Sequence, residues 1–117
     1  MASGESAQTL LAMLGHDHFV AENDGLYTGV SDPVLRARLN SQVDAAVEAL
    51  AVAAGKKATP SQLLEIFKYH LLAIDRDELE TEDAEHVAGV FEQMLDALSI
   101  ESSGGALNTW MYGFDPA

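Results

Sequence analysis

Twice in this chain a side chain able to accept the first free N–H groups of a helix is followed at once by proline and then by a long apolar stripe, at Asp32-Pro33 and at Thr59-Pro60. Proline at the first helical position loses no hydrogen bond, since that N–H has no partner inside the helix, and its fixed φ is already helical. Gln62, three residues beyond Thr59, completes the pattern of a capping box. Both starts lead into apolar residues three or four apart. Leu35, Leu39, Val43, Val47 and Leu50 form one stripe, with Ala45, Ala46, Ala49 and Ala53 small enough to let another helix come close. Leu63, Leu64, Phe67, Leu71 and Ile74 form the next. The spacing predicts helices over 32–54, stopped by Gly55, and over 60–75.

A further stripe, Val87, Val90, Phe91, Met94, Leu95 and Leu98, predicts a helix over 81–99 with Thr81 as its cap. Leu10, Leu11 and Leu14, ahead of Gly15, predict a short helix over 6–14. Residues 16–31 break the pattern with Gly25, Gly29 and an Asn-Asp-Gly turn, which suits a loop with a small hairpin about Asp24-Gly25. Phe19, Val20, Leu26, Tyr27 and Val30 are too many apolar groups for a free loop, so this segment should lie buried across a helix face.

The end of the chain, residues 101–116, is unlike an ordinary amphipathic helix. Trp110, Met111, Tyr112 and Phe114 fall within five residues of one another. Aromatic side chains bury roughly 150–250 Å² each, and leaving three in water would cost several kcal/mol at about 25 cal/mol per Å². The tail should therefore dock on the core, with Leu107, Trp110 and Met111 in one last helical turn after the break at 102–105. The expected fold is all-α, a small bundle of about four helices with a buried loop and a docked aromatic C-terminal tail, in a single domain over 1–117.

Charge is the strongest compositional signal: 19 acidic residues against 6 basic ones give −13. Phosphate binding is dominated by Lys and Arg, so nucleic acid and anionic membranes are disfavoured and cationic partners favoured. Seven of the acids, Asp75, Asp77, Glu78, Glu80, Glu82, Asp83 and Glu85, crowd into eleven residues with Arg76 as the only cation. The chain has no cysteine, which fits a reducing compartment. No basic segment precedes the short apolar run 10–14, and the expected location is the cytoplasm.

No motif of catalysis stands out. In His16-Asp17-His18 two histidines and a carboxylate are competent zinc ligands, but a site needs a third and fourth ligand that the sequence does not identify, so ordinary loop histidines are the expectation and no metal is assigned. Read as a calcium loop from Asp75, the acidic run has Leu79 at the fifth position, Glu80 in place of the turn glycine and His86 in place of the final glutamate. His70 and His86 fall on helices with no catalytic partner in evidence, and Ser102-Ser103-Gly104-Gly105 reads as a helix terminator. No cofactor is expected.

Two stretches, GLYTGVSDPVLRARLN at 25–40 and ETEDAEHVAGVFEQMLDALSIESSGGALNTWMYGFDP at 80–116, resemble the small bacterial family called domain of unknown function 4844. The ending LNTWMYGFDP is the most specific part of the likeness. The resemblance implies a small helical domain and brings no catalytic residue with it. Function is then an expectation from charge: a non-enzymatic acidic protein that neutralises a cationic protein partner, as an immunity protein does a bacterial toxin, with the seven carboxylates as the contact. The alternative is an acidic regulatory or housekeeping interaction domain without a toxin partner.

Overall fold

The structure, a computed structural model, describes residues 4–20 and 29–113. Among these residues the regular elements are all helical: α1 (Gly4–Leu11), α2 (Pro33–Gly55), α3 (Pro60–Leu72), a 3-10 turn at Arg76–Glu78, α4 (Thr81–Ala97) and α5 (Ala106–Tyr112). The four expected helices are present, and the last helical turn is a fifth helix.

Both proline starts behave as elementary capping requires. The Asp32 carboxylate accepts hydrogen bonds from the Val34 and Leu35 N–H groups. Thr59 and Gln62 exchange both bonds of the capping box, Gln62 N to Thr59 Oγ1 at 3.1 Å and Thr59 N to Gln62 Oε1 at 2.9 Å. α4 differs from expectation. Its first backbone bond runs from Ala84 N to the carbonyl of Glu80, so Glu80 occupies the cap position and Thr81 is already helical. Leu79 before the cap and Ala84 in the first turn are both buried, the two positions of a hydrophobic staple, and this anchoring sets the entry point in place of a side-chain cap.

Helix ends are where the structure departs most from the spacing. α2 and α4 both close in a Schellman motif: Ala58 N bonds to Ala53 O with Lys57 N to Ala54 O, and Ile100 N bonds to Leu95 O with Ser99 N to Asp96 O. The left-handed positions are Lys57 (φ 60) and Ser99 (φ 59), while Gly55 is the last residue of its helix. α1 stops at Leu11 and tightens into turns through Met13 N to Leu10 O and Leu14 N to Leu11 O. α3 stops at Leu72, three residues short of Asp75, because the Asp75 carboxylate accepts the N–H of Asp77 and caps the 3-10 turn instead of continuing the helix.

The helices enclose one continuous core. α1 packs on α2, α2 on α3, α4 meets α1 and α2, and α5 is seated on both α3 and α4. Phe67 and Phe91 meet edge to face at its centre, with ring centroids 5.5 Å apart. The described part of the loop is buried coil, as its composition demands: Phe19 and Val30 are in the core, joined by Val30 N to Phe19 O at 2.9 Å, whereas Val20 is exposed. The expected hairpin about Asp24-Gly25, with Leu26 and Tyr27, lies outside the described residues.

Among the described residues the tail is docked through Trp110 and Met111. Trp110 is only 6% exposed, and its indole N–H donates to the Ile74 carbonyl at 2.9 Å. Met111 is buried beside it, but Tyr112 is 60% exposed, and Phe114 lies outside the described residues. Consecutive left-handed glycines, Gly104 (φ 68) and Gly105 (φ 87), turn the chain from α4 into α5, and the buried Ser103 accepts the N–H of Leu107. The segment 102–105 thus shapes a corner as well as ending a helix.

Trp110→Ala should destabilise the fold by roughly 3–5 kcal/mol, the usual cost of emptying a large aromatic site. Tyr112→Ala, at an exposed position, should change stability by no more than about 0.5 kcal/mol. Equilibrium urea unfolding compares the two, and equal effects would contradict the docking described. Ser99→Gly should stabilise by about 1 kcal/mol, since glycine adopts the left-handed conformation without the side-chain penalty; an unchanged or lower denaturation midpoint would show that the penalty is absent.

Candidate functional site

The acidic run is built on a base tied into the core. Ile74 and Leu79, on either side of the 3-10 turn, are buried, and between them Arg76 is half-buried. Its guanidinium donates to the Leu79 carbonyl at 3.0 Å and to the Met111 carbonyl at 3.2 Å, fastening the corner to α5. The only cation of the run is therefore turned toward backbone oxygens, and the carboxylates around it face water. Asp75, Asp77, Glu78, Glu80, Glu82 and Glu85 are exposed, and Asp83 is half-buried. Asp75 caps the turn, and Glu78 forms an ion pair with Arg38 of α2. Glu82 and Asp83 lie in the first turn of α4, at the positive end of its dipole.

The run does not end at Glu85. Helical spacing along α4 brings Glu92 and Asp96 after it, and the structure shows Glu85 and Glu92 lining an open groove of about 330 Å³ with Asn108, Met111 and Tyr112 of α5. Glu92 also lines an adjoining groove of about 390 Å³ with Asp96, Glu101 and Asn108, floored by Leu95, Ile100 and Leu107. An acidic strip thus continues from the 3-10 corner along the α4–α5 face, with the exposed ring of Tyr112 beside it. The sequence reading stopped at Glu85. The i, i+7, i+11 spacing of Glu85, Glu92 and Asp96 was the available signal for the rest.

The histidines are placed otherwise. His16 donates from Nε2 to the Ala12 carbonyl at 3.1 Å, and His18 does the same to the Met13 carbonyl at 3.1 Å, so both rings close off the end of α1. Asp17 accepts from Asn40 at 2.9 Å and from the Phe19 N–H at 3.0 Å, and pairs with Arg36 at 3.3 Å. The Asn40 bond, with smaller help from Phe19 and Arg36, holds the Asp17 carboxyl below its ordinary value despite some desolvation. Burial pushes the His18 imidazole down, against the opposing pull of the Asp44 carboxylate. His70 is likewise lowered by burial and stands edge to face with Tyr69, while the His86 ring lies 5.9 Å from that of Phe19. Among the described residues, no three His, Asp or Glu side chains stand close enough together to hold a metal ion, and no helix is long and apolar enough to cross a membrane.

With this geometry in view, comparison with known proteins is informative about kinship. A model of the family described as domain of unknown function, DUF4844, matches residues 1–115. The chain belongs to the DUF4844 family. The fold is also similar to a crystal structure of a DUF3571 family protein from Acinetobacter baumannii AYE, at 39% sequence identity and a TM-score of 0.86, over 92% of this chain and 89% of that one. No curated protein matches. The likeness to that crystal structure agrees with the fold described, while DUF4844 membership assigns no chemistry.

The depressed pKa of His18 has a defined sign. A group harder to protonate in the folded state contributes its full stability above its unfolded value, 6.5, and loses it as pH falls from there toward the folded value. Thermal midpoints should therefore decline on acidification from about pH 7.5 to about 5.5, and less steeply in His18→Gln. Identical slopes in the two proteins would mean that His18 does not titrate below its ordinary value.

Proposed function

We propose that the protein binds a cationic protein surface through the acidic strip and neutralises it, in the manner of an immunity protein acting on a bacterial toxin in the cytoplasm. The observation that carries this reading is the display of the run. Six of its seven carboxylates are exposed, on a corner held to the core by Ile74, Leu79 and Arg76, more than helix capping requires because the dipole benefit is confined to the first turn. Exposed charge of one sign on a fixed support accelerates encounter with an opposite surface, such as the nucleic-acid groove of a nuclease, and suppresses wrong partners. Tyr112 adds the other half of a binding surface. A rigid, amphipathic ring beside a charged strip is the residue type on which interface energy concentrates. The alternative is an acidic regulatory or housekeeping interaction domain without a toxin partner, in which the run serves only solubility.

The test is affinity capture from the native host at low salt, followed by binding kinetics. The variant Asp77→Asn with Glu80→Gln, Glu82→Gln and Glu85→Gln leaves the Asp75 cap and the Glu78–Arg38 pair in place, and should slow association about tenfold or more while changing dissociation little. Tyr112→Ala should do the reverse, raising the dissociation rate. Association of the unmodified protein should also slow as salt rises, because exposed charges are screened beyond about 8 Å at physiological ionic strength. Recovery of no specific partner, or of one whose association ignores both salt and the amides, would sink the proposal.

A further inference from the structure

We propose that the outward face of α2 is the contact of a symmetric dimer, in which a second copy of this chain packs antiparallel about Val52. From Val43 to Gly55 the polar residues are Asp44 and Glu48 alone. A helix segment apolar on nearly every side is ordinarily covered on every side. Here the core takes one side only, through Val43, Ala46, Val47, Leu50, Ala51 and Ala54. On the other, Val52 is 58% exposed and lies with Ala45, Ala49, Ala53 and Ile66 in a shallow trough of about 630 Å³. Tyr69, one turn along α3 from Ile66, is 73% exposed.

Charge identifies the occupant. Glu48 and Lys56 line the same trough, both exposed, each four residues from Val52, and neither forms an ion pair among the described residues. In an isologous contact each residue meets its counterpart's complement reciprocally. With the two-fold axis at Val52 and the two α2 helices antiparallel, a residue four places before Val52 faces one four places after it. Glu48 of each copy then faces Lys56 of the other, and the pair forms twice. The surrounding charge agrees. Residues 45–72 carry Glu48 and Glu65 against Lys56, Lys57 and Lys68, a net of +1, so that the rest of the chain carries −14 of the total −13. A second copy therefore meets no excess of like charge here, whereas the cationic partner proposed for the acidic strip would meet lysines.

Sedimentation velocity of the full chain over a concentration series tests this. A concentration-dependent dimer is expected, and Val52→Glu, at an exposed position where circular dichroism should show an unchanged fold, should raise its dissociation constant at least about tenfold. Glu48→Lys and Lys56→Glu should each weaken the dimer by setting like charges opposite one another, and their combination should restore it. The two positions lie eight residues apart, Glu48 within α2 and Lys56 at its C-cap, and do not meet within a copy, so restoration reports a contact between copies. A monomer at every concentration up to about 1 mM, a dimer indifferent to Val52→Glu, or a double variant no better than the single ones would each overturn the proposal.

Discussion

The hydrogen bond from the Trp110 indole to the Ile74 carbonyl holds this molecule closed. It joins the residues after α3 to α5, thirty-six positions later, and works in parallel with Arg76, whose guanidinium reaches the Met111 carbonyl from the same corner. The Met111 carbonyl lies in the last turn of α5, where helix geometry leaves acceptors free, and the Ile74 carbonyl lies just past the end of α3. A buried acceptor left unpaired costs about 1–3 kcal/mol, so the two side chains remove a penalty and add apolar contact in one step. The placement of the acidic run depends on this clasp, since Arg76 and the buried Leu79 decide where the chain enters α4.

Much of this was legible in the sequence because it rests on local chemistry. The starts at Asp32-Pro33 and Thr59-Pro60 need only neighbouring atoms, and the apolar stripes of α2, α3 and α4 repeat often enough to average out exceptions. Helix ends were less legible. Spacing pointed to Gly55 as the stop, yet the left-handed residue is Lys57, with a counterpart at Ser99; the Schellman bonds and the burial around them outweigh the preference for glycine. The start of α4 shifted for a related reason, because the buried Leu79 outranks the capping oxygen of Thr81. Aromatic density in the tail signalled docking, but it could not show that Trp110 turns inward and Tyr112 outward, which depends on the two left-handed glycines that set the approach of α5.

The candidate site was legible in part and for the same reason. Seven acids in eleven residues are evident in any reading of the chain, and Glu92 and Asp96 follow Glu85 at helical spacing, whereas their sharing of a groove with Glu101 appears only when α5 is laid beside α4. The direction of Arg76 could not be read either. In sequence it looks like a partial neutraliser of the run, and in the fold its charge is engaged by carbonyl oxygens, leaving the exposed carboxylates to act together. Membership of DUF4844 assigns this arrangement no use.

The bond between Arg76 and Met111 also bears on the order in which the protein is completed. Its donor and acceptor lie 35 residues apart. At about 5–20 residues per second, the ribosome adds Met111 some seconds after Arg76. During that interval the acidic corner has neither its guanidinium anchor on α5 nor its indole clasp. The charged corner therefore cannot take its final form before α5 has been made.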